Sequence, residues 1–289
     1  MNRLAFLALT LAGVGWGFGF PLGKYALRET DAAHMVLLRF AVAAVVAAPF
    51  ALGSREARGL FRSPAVLGGA VLYGIAFLVQ FEALAHTSVT LAALLVGAMP
   101  ALIAICFRLL GEPVSPRSWA GVGAATCGGA LIAGKPGPAG EPLGVALAFA
   151  ALLIFLAWLV VLRRAPKAAS PMAAPAVTMI VATATILPLA LAMHGPPRLN
   201  LSAGAWAAIV AQGVVSTFLA TAAWQYGLAR VGSASAGVFI NLEPLIGSAL
   251  GVALFGDDLT LSLATGGAAI VAGSFIVVLG EKTPVPAPM

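Results

Sequence analysis

Charge is what this sequence has least of. Only 9% of its 289 residues are Asp, Glu, Lys or Arg, against about 25% in soluble domains, so the chain cannot cover a water-facing surface. Two cysteines, Cys106 and Cys127, lie inside apolar runs and supply no disulfide framework. The three histidines, His34, His86 and His194, are dispersed without metal-ligand spacing. No metal site or cofactor is expected, and neither a Ser-His-Asp arrangement nor Gly-x-Ser-x-Gly is present. The net charge of +6 does not point to nucleic acid, because no basic patch interleaved with aromatics accompanies it. Gly129–Lys135 imitates a phosphate-binding loop, but Pro136 stands where a Ser or Thr would hold magnesium, and the stretch ends an apolar helix. ATP is therefore not expected as an energy source.

What the chain does have is apolar length. Hydrophobic residues make up 61% of it, and the mean hydropathy is +1.02. A membrane span takes about 20 apolar residues, so about 28 for a span with a tight loop gives about ten crossings. Apolar runs fall at 4–23, 33–52, 66–85, 89–109, 116–134, 143–162, 174–193, 204–226, 234–255 and 260–280. These are unbroken blocks rather than ten-residue alternations, which predicts helices and excludes a barrel. The start, Met1-Asn2-Arg3 before an apolar stretch, also has the form of a signal peptide. No small-x-small cleavage site follows it, and the repeat described below needs the segment.

Loop charges set an expected orientation. With both termini inside, Arg3, Arg55, Arg58, Arg62, Arg108, Arg117, Arg163, Arg164, Lys167, Arg230 and Lys282 share one side, and only Lys24, Arg28, Lys135 and Arg198 the other. Eleven cations against four make both termini cytoplasmic by the positive-inside rule. The remaining cation, Arg39, lies inside the second run.

An internal repeat carries the most information. Ala83–Ser88, then Pro100, then Gly111–Ser115 are echoed by Gly227–Gly232, then Pro244, then Gly256–Thr260. The offset from Pro100 to Pro244 is 144 residues. The expected organisation is a first repeat over 1–137, a second over 138–282, and a disordered tail over 283–289. Each half holds five helices, and five is odd, so the second half enters the membrane inverted. The expected fold is all-α, ten transmembrane helices as two inverted five-helix repeats, the architecture of alternating access.

Trp16-Gly17 with Pro21, Leu38-Arg39-Phe40, the Ala83–Ser88 turn, Gly111-Glu112 with Ser115, Leu242-Glu243-Pro244 and the closing Gly-rich helices resemble the drug/metabolite transporter superfamily, EamA type. The resemblance covers essentially the whole chain. It implies secondary transport, often export, of amino acids or other small metabolites across a bacterial inner membrane. The chain departs from the pattern at Gly256-Asp257-Asp258, where the first half has Gly111-Glu112-Pro113. That pair is expected to lie in a loop without affecting the transport path.

Polar groups at membrane depth are site candidates by default, weighed against snorkelling to the interface. Glu243 is the foremost, as a cavity-lining or proton-carrying acid; the alternative is a hydrogen-bonded glutamate that locks helices together. Glu82 and His86, four residues apart, are further proton-coupling candidates or an interfacial pair. Arg39 suits a substrate carboxylate, or neutralises Glu82. Lys24 is expected to reach the outer headgroups. Trp16, Phe20, Phe77, Gln80, Phe81, Trp158, Thr221, Trp224, Gln225 and Asn241, with Thr217, would furnish an aromatic-walled cavity for a small amphipathic solute, or serve as core and belt residues. Gly17, Gly19, Pro21, Pro100 and Pro244 are the expected hinges.

The reading is a non-enzymatic carrier of a small solute in contact with membrane lipid. An integral-membrane lipid or isoprenoid transferase would need clustered acids or histidines at one membrane face, and the acids here are scattered. A receptor or scaffold would carry a soluble domain that these short loops do not allow.

Overall fold

The computed structural model describes residues 3–111, 113–134, 140–166, 170–231 and 233–280. Glu112, Lys135, Pro136, Lys167, Gly232, Lys282 and the 283–289 tail, which entered the expectations above, lie outside the described residues.

The chain is all-helical. The long helices are α1 (Arg3–Ala26), α2 (Ala32–Leu52), α3 (Pro64–Ala85), α4 (Val89–Leu109), α5 (Pro116–Gly134), α6 (Pro142–Leu162), α7 (Ala173–His194), α8 (Ala203–Leu228), α9 (Ser233–Ile240 followed by Leu242–Phe255) and α10 (Leu261–Gly280). Among the described residues nine helices are long and apolar enough to cross a membrane, with α9 contributing Val238–Phe255. The exception is α5, whose 19 residues are too rich in glycine and small residues to pass as apolar. Those glycines do something else. A Cβ on Gly121 would lie 2.5 Å from the Gly273 carbonyl, and one on Gly128 would lie 2.4 Å from that of Gly266. So α5 and α10 run antiparallel with their backbones in contact, a closeness only small residues permit.

The same swap of halves relates the other helix pairs. α4 lies against α9, with Ala93 on Gly247 and Gly97 on Pro244. α2 lies against α7, where Ala43, Ala47 and Ala51 share a core cluster with Met172, Ala173 and Ala176. The remaining main pairings come in equivalent couples: α3 with α6 answers α8 with α1, and α3 with α7 answers α8 with α2. Corresponding helices of the two halves thus meet antiparallel.

Three helices are broken, each at a place a proline dictates. α1 is interrupted at Phe18, between Arg3–Gly17 and Gly19–Ala26. α4 divides into Val89–Val96 and Met99–Leu109, and α9 breaks at Asn241. Gly17, Val96 and Ile240 each stand four residues before Pro21, Pro100 and Pro244. Proline has no N–H to give the carbonyl four residues back, and its ring crowds that carbonyl. The interruptions therefore lie within one turn before the expected hinge prolines, at Phe18, Gly97-Ala98 and Asn241. Pro49 and Pro188 sit inside α2 and α7 without breaking them. The breaks also adjoin one another: a Cβ on Gly17 would lie 3.1 Å from the Glu243 carbonyl, and one on Gly97 would lie 3.4 Å from the Pro244 ring.

Candidate functional site

Arg39 is the centre of the molecule's polar chemistry. It lies on α2 with 3% of its surface accessible, so it does not snorkel. A charged side chain at membrane depth costs about 3 kcal/mol or more, and the fold offsets much of this. Its Nε donates to Thr217 Oγ1 at 2.7 Å, a charge-assisted bond worth about 1.5–3 kcal/mol. Its guanidinium lies 4.5 Å from the Phe77 ring centroid and 5.0 Å from that of Phe81, each contact contributing about 1–2 kcal/mol when desolvated. One nitrogen, Nη1, remains buried without a partner.

The local structure of α8 makes that contact. Gln212–Leu219 is a π-helical stretch in which Thr217 Oγ1 donates to the Gln212 carbonyl at 2.9 Å. Five residues are about 140° apart on an α-helix, and the wider turn brings the two onto one side. π-bulges of this kind recur at functional sites. Gly213 lets the widened turn close on α2, since a Cβ there would lie 2.7 Å from the Arg39 carbonyl.

Around the guanidinium stands an aromatic box. Phe40, Tyr73, Phe77, Phe81, Phe155 and Trp158 are linked by ring contacts of 4.8–6.3 Å. Glu243 completes it from α9. It sits in the first turn after the break at Asn241, where a helix N-terminus favours an acid. It is close enough to interact electrostatically with both Arg39 and Tyr73. Glu243 is deep among the helices yet keeps a partly accessible side chain. Gln212 Oε1, Ser216 Oγ, Trp158 Nε1 and Asn241 Oδ1 are further buried polar atoms without partners.

Of the residues singled out from sequence, Arg39, Phe77, Phe81, Trp158, Thr217 and Glu243 come together here. Phe20 is buried in the same apolar cluster as Phe40 and Phe81, and Gln80 is buried on α3 between Phe77 and Phe81. Trp16 and Trp224 form a separate pair with ring centroids 5.3 Å apart. Thr221 and Gln225 follow Thr217 along α8 and are half-buried. Sequence reasoning missed Tyr73, Phe155, Gln212 and Ser216. Gln212, an amide in an apolar run, was the signal that could have been used.

Glu82 and His86 sit at a helix end instead. His86 Nε2 is 3.5 Å from Glu82 and its Nδ1 is 3.1 Å from Glu141. Other ties gather at this cation-poor end. Lys24 donates at 2.7 Å to the carbonyls of Leu84 and Thr87, where the C-terminal carbonyls of α3 attract a cation. Asp257, in a loop as expected, accepts from the Thr90 N–H at 2.7 Å at the start of α4. Glu29 accepts from the Ser202 hydroxyl and N–H, and these bonds hold its carboxyl below the usual carboxylate range. His34 joins Asp31 at 2.7 Å to the Gly195 carbonyl at 2.9 Å. Burial alone would raise Asp31, but the His34 hydrogen bonds and the charges of His34 and His194 outweigh it and lower its carboxyl. At the opposite end a cavity of about 730 Å³ opens between Arg62, Ser63 and Pro64 on one side and Val161, Arg164 and Pro166 on the other. Its lining does not reach Arg39 or Glu243. Polar ties thus gather at one end, and a cavity lies at the other.

The model of the EamA-like transporter family matches residues 3–134 and again 142–279. This chain belongs to the EamA-like transporter family. It is a multi-pass membrane protein with two EamA halves, a transporter and not an enzyme, and the transferase alternative falls with that. An uncharacterised protein of Pseudomonas aeruginosa is 29% identical, aligned over 96% of this chain and 95% of its own. A probable biotin transporter of the same organism is 27% identical, over 95% of this chain and 98% of its own. An uncharacterised transporter of Bacillus subtilis is 26% identical, over 80% of this chain and 79% of its own. A solved crystal structure covers 96% of both chains with a TM-score of 0.65 at 21% identity, a likeness of fold. Membership of this transporter family implies a small-molecule substrate.

Proposed function

We propose that this EamA protein is a ten-span secondary transporter that moves a small amphipathic metabolite, an amino acid or related solute, by alternating access, with export as its direction. The observation that carries the reading is that the central box is shared between the inverted halves. Arg39, Tyr73 and Phe77 come from the first half, Thr217 and Glu243 from the second. A solute held there is gripped by both bundles, so rocking one against the other transfers it from side to side. Helices interrupted at the depth of the site support this, because broken backbone within a membrane is tolerated where it is packed in protein or lines a cavity. In this reading α5 is the tenth span, inserted on its contacts with α10. Both termini are cytoplasmic in a bacterial inner membrane, and the tied end faces outward.

The aromatic walls suit the apolar part of such a solute and the unpartnered polar atoms its hydrogen-bonding groups. The relative named as a probable biotin transporter adds biotin to the solutes worth testing. The test is a thermal-shift screen of the purified chain against amino acids, biotin, nucleosides and amphipathic amines, since a ligand that prefers the folded state raises apparent stability. Flux of each hit is then measured in proteoliposomes. Flux of at least one hit, lost in Arg39→Gln, is expected. If no hit crosses, the reading is wrong.

A further inference from the structure

We propose that Arg39 and Glu243 form an exchange pair, in which a solute carboxylate replaces Glu243 as the counter-ion of Arg39 and Glu243 takes up a proton. Carboxylate and proton would then cross together with no net charge. This rests on the carrier reading above and names the chemical class of its substrate, a monocarboxylate with a compact apolar body.

Three observations converge. Arg39 has a donor, Nη1, that is buried and unused, although its Nε is held by Thr217 and its faces by Phe77 and Phe81. The guanidinium is thus fixed in orientation with one edge unmet. A carboxylate is the anion whose two oxygens match that fork. Secondly, Glu243 feels the charge of Arg39, yet among the described residues the two make no ion pair within 4.0 Å. The two groups, opposite in charge when ionised, therefore stand near each other without an ion pair. Thirdly, among the described residues nothing else around the pair could balance an added charge. Tyr73 on α3 is the other titratable group beside Glu243. α1 and α4, also packed against α9, carry titratable groups only towards their ends, and α10 carries none.

Charge balance then decides the loaded state. Empty, the pair sums to zero. Adding a carboxylate would leave one uncompensated negative charge at membrane depth, a cost of several kcal/mol. A proton on Glu243 restores neutrality and leaves Arg39 to the solute. The proton enters from the aqueous side that the site faces and leaves with the solute on the other. No bond other than the carboxyl O–H is made or broken.

The experiment is calorimetric titration of the purified full chain in detergent at about pH 8, with 3-phenylpropionate as the probe, in two buffers of different ionisation enthalpy. The expected result is one proton taken up per carboxylate bound, with 3-phenylpropanamide, the neutral analogue, binding at least about ten-fold more weakly. Glu243→Gln should bind the carboxylate without proton uptake, Glu243→Asp should restore the uptake, and Arg39→Gln should lose binding by about ten-fold or more. Binding of 3-phenylpropionate by the wild type without proton uptake overturns the proposal. So does equal binding of acid and amide, or no binding of the acid. Solute flux that persists in proteoliposomes alongside any of these leaves the carrier reading standing; absence of all flux removes that reading as well.

Discussion

At the residue scale the account turns on how a buried cation is held in place. Gly213 permits the approach of α8 to Arg39, and a methyl group there would meet the Arg39 carbonyl at 2.7 Å and Val42 at 2.8 Å. Gly213→Ala is expected to destabilise the protein by about 1–3 kcal/mol through overpacking and to lower transport by displacing Arg39. Thermal unfolding in detergent and flux in proteoliposomes measure the two effects. Glu29 and Asp31 give a pH dependence at the tied end. Both carboxyls are held below their ordinary values in the folded protein, so their contribution is complete above the unfolded pKa and is lost as pH falls through the folded one. The melting temperature should fall between about pH 5 and pH 3, and Ser202→Ala should blunt that fall by removing the hydroxyl contact to Glu29 while the backbone N–H contact remains. A flat profile over that range would contradict the assignment.

At the element scale much was legible before any coordinates. Runs of about 20 apolar residues define spans because a bilayer demands that length, and Pro21, Pro100 and Pro244 marked the breaks because a missing N–H acts locally. Arg39 and Glu243 stood out because charge is expensive in lipid. Tyr73 and Phe155 did not, since an aromatic residue in an apolar helix announces nothing until one knows which helix faces it. Gln212 was hidden by the π turn, which rotates it towards Thr217 against α-helical periodicity. The partners of Lys24 and Asp257 were hidden for a related reason: each meets the end of a helix far away in sequence. The break in α9 is itself testable. Removing a helix-interior proline relieves about 3 kcal/mol of local cost, so Pro244→Ala should allow Ile240–Leu242 to become continuous helix. The variant should melt at a higher temperature and transport more slowly, a trade of mobility for stability. Faster transport together with a lower melting temperature would show that the break is not a hinge.

At the scale of the whole molecule, two halves meet antiparallel along α2 with α7, α4 with α9 and α5 with α10, and the box around Arg39 lies between them. The polar ties of Lys24, Asp257, Glu29 and His34 gather at one end, while the larger opening lies at the other. In the proposed alternating-access reading, that asymmetry belongs to one state, and the other state exchanges the roles of the two ends. The most direct test places a single cysteine at Thr221, one turn from Thr217, in a chain with Cys106 and Cys127 replaced. A membrane-impermeant thiol reagent is then applied from either side of oriented vesicles. The account predicts labelling from both sides, with a transported solute slowing it from each. Labelling confined to one side under every condition, solute present or absent, would contradict it.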